Sequence, residues 1–171
     1  MNKQTLDQMW DNIRQRHGIA LRAIESVPAS KVTTGLIPPM RTPAQQVAHM
    51  YGLMKACAEG VVSGKLDFPA EELSDGGIKT HADMVKFAKD CWSAADAATA
   101  KVTDAQLAAM VKTPWGMDFP GFVIYGVLYD EFLHHRGQLY AFLRVAGVEP
   151  PVIWDFAHNA PEFRPKAPQQ A

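Results

Sequence analysis

Residues 121–147 read GFVIYGVLYDEFLHHRGQLYAFLRVAG, and the fold is decided there. At about 100° per residue, Ile124, Val127, Leu128, Leu139, Phe142 and Ala146 fall on one helical face. Glu131, His135 and Gln138 fall on the same face. Gly147, Pro150 and Pro151 close the pattern, so the spacing predicts a helix from about Gly121 to Ala146.

Working outward, three capping boxes announce further helix starts: Thr5 with Gln8, Thr42 with Gln45, and Thr103 with Gln106. Pro43 strengthens the second, because its fixed φ and missing N–H suit the first helical position. The first helix is predicted from about Leu6 to Ser26, with a stripe of Leu6, Met9, Trp10, Ile13, Ala20, Leu21 and Ile24. The second runs from Pro43 toward Glu59 and stops at Gly60, burying Val47, Met50, Tyr51, Met54 and Ala58. Thr80 with Asp83 opens the third, whose stripe is Met84, Ala88, Cys91, Trp92, Ala95 and Ala98. A short helix is predicted over Asp104 to Val111, followed by a loop from Lys112 to Pro120.

Between Gly60 and Thr80 the periodicity dissolves into Gly, Pro, Ser and Asp, with one turn expected at Ala70 to Leu73. No strand-like alternation or internal repeat is seen. The parts are those of an all-α four-helix bundle with a short extra helix, its long second connection implying a crossover between neighbours. Residues 1–159 are read as one domain and 160–171, rich in Pro and Gln, as a mobile tail.

Seventeen Lys and Arg against eighteen Asp and Glu leave a formal charge of −1, so there is no net attraction to a phosphate backbone or an anionic bilayer. Neither nucleic acid nor membrane is an expected partner. The opening MNKQTLDQMW lacks an apolar signal core, and Cys57 and Cys91 have no metal-binding or redox spacing. A cytoplasmic protein with two buried thiols is expected.

Setting a carboxylate, an imidazole and an amide inside an apolar stripe costs several kcal/mol unless each finds a partner. Glu131 and His135 stand one helical turn apart, the spacing of helical metal sites, and a shared cation would satisfy both. His49, flanked on the second helix by Gly52, Leu53 and Ala56, is the third candidate ligand. Two imidazoles and a carboxylate leave coordination positions open for water or substrate, as in catalytic zinc and non-haem iron sites.

The segment from Glu131-Phe-Leu-His-His135-Arg-Gly-Gln138 to Gly147-Val-Glu-Pro-Pro151 resembles the hallmark of the DinB/YfiT-like superfamily. There a His-x-x-x-His-Arg-Gly-Gln helix precedes a Leu-Arg-x-x-Gly-x-x-x-Pro ending. Thr42 to His49 resembles the first ligand helix of that family. The resemblance implies a bundle holding a divalent metal (Zn, Ni, Mn or Fe) through His49, Glu131 and His135, in a homodimer. It also implies a small-molecule substrate, with a low-molecular-weight thiol among the candidates, and hydrolase or thiol S-transferase chemistry. Glu131 departs from the family pattern, which commonly has His there; a carboxylate shifts preference toward harder ions.

The competing reading makes Glu131 and His135 a metal-free ion pair in a dimerisation or small-ligand-binding module. Asp130 and His134 form a rival couple about 100° round the helix. His17 reads as a packing histidine at helical spacing with Ile13 and Leu21. No residue stands out as a separate general base; His17, Asp130 and His134 are near by helical phase alone. Trp115 and Trp154 are expected near helix ends, where pocket rims lie.

Overall fold

Asn2, rather than Thr5, caps the first helix: its side-chain oxygen accepts from Thr5 N at 2.9 Å. In the computed structural model, which describes residues 1–68 and 74–165, α1 therefore runs over Lys3–Glu25. Thr42 caps α2 (Pro43–Ser63) and Thr80 caps α3 (His81–Lys101), both in complete capping boxes. Thr103 does the same for the short α4 (Asp104–Ala108). The last helix, α5, spans Gly121–Val145, with Gly147 at φ +78° beyond its end.

Two expected boundaries shift. The α2 helix runs through Gly60 and ends at Gly64, whose φ of +81° supplies the left-handed cap. Gly60 is there for close approach instead, since a Cβ on it would stand 2.4 Å from Leu66 Cδ2 and 3.1 Å from the Lys65 carbonyl. The short helix stops at Ala108, because Ala109 turns extended and Met110–Val111 (β1) pairs antiparallel with Phe119–Pro120 (β2). Two-residue strands are too short for an alternating pattern to show in sequence. The expected turn at 70–73 lies outside the described residues.

The ends of the helices fix their order. His81 Nε2 meets the Glu25 carbonyl at 3.1 Å, so α3 starts where α1 finishes. Gln106 Nε2 donates to the Val62 carbonyl at 3.0 Å, so α2 and α3 finish at the same end. Parallel neighbours cannot be joined by a tight turn, and the connection from Gly64 to Thr80 is the crossover expected from its length. Helices α1 and α2 each pack on both α3 and α5, which sets them diagonally across the bundle.

Across that diagonal runs a polar link, His17 Nδ1 to Tyr51 Oη at 2.8 Å. His17 also stacks on Trp92 at 4.3 Å, and Trp92 stacks on Trp10 at 5.2 Å, forming three parallel ring layers between α1 and α3. The indole N–H of Trp10 is satisfied by Asp96 at 2.7 Å. Pro161–Phe163, within the segment read as tail, forms a 3₁₀ turn on α1, with the Phe163 ring 4.7 Å from His17. Among the described residues no helix is long and apolar enough to cross a membrane.

Candidate metal centre

Gln46 fixes the register between the two helices that build the site. It is 4% exposed, and its Nε2 donates to the His135 carbonyl at 3.2 Å. One turn along α2, His49 is thereby brought level with His135 on the antiparallel α5. The two imidazoles meet edge to face at 4.5 Å between centroids, their planes 88° apart.

Glu131 completes the group. Its Oε2 lies 2.9 Å from His135 Nε2 and 3.9 Å from His49 Nε2. One ligand atom from each of the three residues lies within 4.8 Å of the others. Ligands about 2 Å from a common ion stand roughly 3–3.5 Å from one another, so small side-chain rotations close this set on a cation. The three side chains grade outward: His135 is 5% exposed, His49 20% and Glu131 39%. Glu131 therefore stands at the mouth of the site, outside the apolar interior that the sequence suggested.

Protons decide what the site wants. His135 Nδ1 is 2.8 Å from Gln138 Oε1, an acceptor, so Nδ1 carries the hydrogen and Nε2 presents its lone pair. Gln138 is held in turn by its amide, which donates to His134 Nε2 at 2.9 Å. With that tautomer, His135 Nε2 faces Glu131 Oε2 at 2.9 Å, a contact that either a metal ion or one more proton between them would satisfy. His49 is pushed down to about 4, by burial first and then by Arg41 and His135, against the upward pull of Glu131. At neutral pH it too offers a lone pair. Two imidazoles and a carboxylate fit a divalent ion in donor type.

Beside this group opens a cavity of about 350 Å³ lined by His49, Leu53, Phe68, Trp115, Val127 and Glu131. Phe68 and Trp115 come from two separate loops and meet at 5.9 Å between ring centroids. Trp115 thus stands at a rim, as expected, whereas Trp154 is 65% exposed beneath the Arg16 guanidinium.

The remaining candidates lie elsewhere. Asp130 and His134 are exposed, and His134 serves Gln138. His17 belongs to the α1–α3 ring stack, and His158 pairs with Asp155 at 2.5 Å. Cys57 is buried with its thiol raised to about 12, by burial first and then by Glu131, which removes it as a nucleophile. Sequence reasoning missed Gln46 and Phe68. Gln46 stands three residues before His49 on the same face, a signal that was available; Phe68 lies in aperiodic sequence and left none.

No family model and no curated protein matches the chain. Solved structures do, two DinB-like proteins among them. A DinB-like protein from Bacillus subtilis, YjoA, superposes with a TM-score of 0.67 at 17% identity over 81% of this chain and 92% of that one. A DinB-like protein from Bacillus cereus ATCC 10987 gives 0.70 at 18% identity over 90% of this chain and all of that one. The chain has the DinB-like fold.

Proposed function

We propose that this bundle is a divalent-metal-dependent enzyme of the DinB/YfiT-like type, with His49, Glu131 and His135 as the ligands. The observation that carries the reading is the convergence of one ligand atom from each of His49, Glu131 and His135 within 4.8 Å of one another, with His135 Nε2 2.9 Å and His49 Nε2 3.9 Å from Glu131 Oε2. A divalent ion held there would lower the pKa of a coordinated water or thiol toward roughly 7, yielding a nucleophile for hydrolysis or thiol transfer at neutral pH.

The rest is the work of the chain. Gln138 holds the His135 tautomer and ring plane, and Gln46 holds the α2–α5 register. Glu131 cancels one unit of the charge a divalent ion would bring, and favours Mn or Fe more than an all-imidazole set does, with Zn and Ni still within its range. Leu53 and Val127 keep water from one side of the reacting position. A small-molecule substrate, a homodimer and a cytoplasmic setting belong to the same proposal, carried from the sequence.

The test is metal analysis of protein purified without a histidine tag, beside His49→Ala, Glu131→Gln and His135→Ala. Metal in the parent that is lost from the variants supports the reading; equal content in all four removes it. A second reading rests on the direct 2.9 Å contact itself, since a proton bridging Glu131 and His135 gives a metal-free bundle. Added metal then leaves the melting temperature unchanged, whereas under the first reading metal raises it and a chelator reverses the rise.

A further inference from the structure

The cavity beside the ligand triad has a one-sided chemistry. Of its lining side chains, Leu53, Phe68, Trp115 and Val127 are apolar, and the remaining two, His49 and Glu131, are the ligands themselves. Among the described residues that line it there is no Lys or Arg, no hydroxyl and no amide. A phosphate, a carboxylate or a polyhydroxylated body placed here would lose hydration and find, beyond the ligands, one donor, the Trp115 indole N–H. Phe68 and Trp115, contributed by separate loops, offer ring faces and edges.

We infer that the substrate presents to this site a neutral apolar body, aromatic or branched aliphatic, with a single metal-seeking donor at its inner end. This rests on the metal reading above. The space of about 350 Å³ holds about twelve heavy atoms, taking the roughly 30 Å³ that one water occupies in the liquid as a guide. The donor meets the ion, the body lies between Leu53 and Val127, and Trp115 covers its outer edge. Phe68 also borders a neighbouring cavity lined by Lys65, Asp67 and Lys112, where a negatively charged end would find cations.

Hydroxamates provide matched probes, because one headgroup can carry different bodies. Zinc alone is first titrated into metal-free protein by calorimetry, followed by acetohydroxamate, benzohydroxamate and 4-carboxybenzohydroxamate into the zinc-loaded form. Benzohydroxamate is expected to bind at least about thirty-fold tighter than acetohydroxamate, from burial of the ring. Trp115→Ser, at a residue 48% exposed, should remove most of that advantage, leaving the affinity for zinc unchanged. Equal affinities of the first two probes, or tighter binding of the carboxylated one through Lys65 and Lys112, overturn the inference while leaving the metal site standing. Failure of zinc to bind at all overturns both.

Discussion

His17 should make the fold acid-labile by a calculable amount. Its side chain is fully buried against Trp92, Phe163 and Tyr51, and its pKa falls to about 3, through burial first and Lys89 second. In the unfolded chain the same imidazole titrates near 6.5. Below pH 6.5 the unfolded state therefore binds a proton that the folded state refuses. Stability is complete above the unfolded value and drains away as the pH falls toward the folded one. Between pH 7 and pH 5 the linkage amounts to about 2 kcal/mol. The perturbation is His17→Phe, which keeps a ring on Trp92 and removes the titration. Urea unfolding of chelator-treated protein at the two pH values, for parent and variant, is the assay; chelation keeps His49 and His135 from adding metal competition. At pH 7 the variant should be weaker by about 1–3 kcal/mol, because the buried Tyr51 hydroxyl loses its partner. From pH 7 to 5 the parent should lose about 2 kcal/mol more than the variant. Parallel pH profiles would refute the reasoning.

Gln138→Leu should leave the fold intact and weaken metal binding about 10- to 100-fold by calorimetry, since His135 Nδ1–H loses its acceptor. Gly121→Ala should cost about 1–3 kcal/mol in urea unfolding, because the new methyl meets the Gln106 carbonyl at 2.5 Å and Val61 Cγ1 at 2.9 Å. Cys57, its thiol raised to about 12, should resist an aromatic disulfide reagent at pH 8 in the folded protein and react on unfolding; immediate reaction of Cys57 in native protein would contradict its burial.

What the sequence made legible follows from what local chemistry can encode. Thr42, Thr80 and Thr103 begin helices because a hydroxyl and a reaching side chain satisfy orphan amides within one turn, which a reader can see directly. Thr5 and Gln8 have the same form, but Asn2 takes the Thr5 amide first, and competition between two eligible caps is settled by the chain entering the helix. Gly60 misled for a similar reason: glycine ends a helix when a left-handed residue is needed and continues one when a neighbour is close, and the neighbour, Leu66, is set by the fold. The α5 half of the site was legible from its period. The cavity was not, because Phe68 and Trp115 come from loops whose meeting depends on where the bundle ends bring them.

Glu131 ties these strands together. In a site made of three imidazoles, the empty state is three weakly repelling dipoles with nothing to hold them closed. With a carboxylate in the middle position, one side chain can collapse onto His135 at 2.9 Å while His49 waits at 3.9 Å. That contact is favourable when a proton bridges it, and under the proposed reading a metal would take the same two atoms. The Gln138–His134 pair bears on the outcome: by keeping the hydrogen on His135 Nδ1, it leaves Nε2 as the atom that either cation must take. Glu131 thus gives the three-residue group a ground state that already holds a place for positive charge.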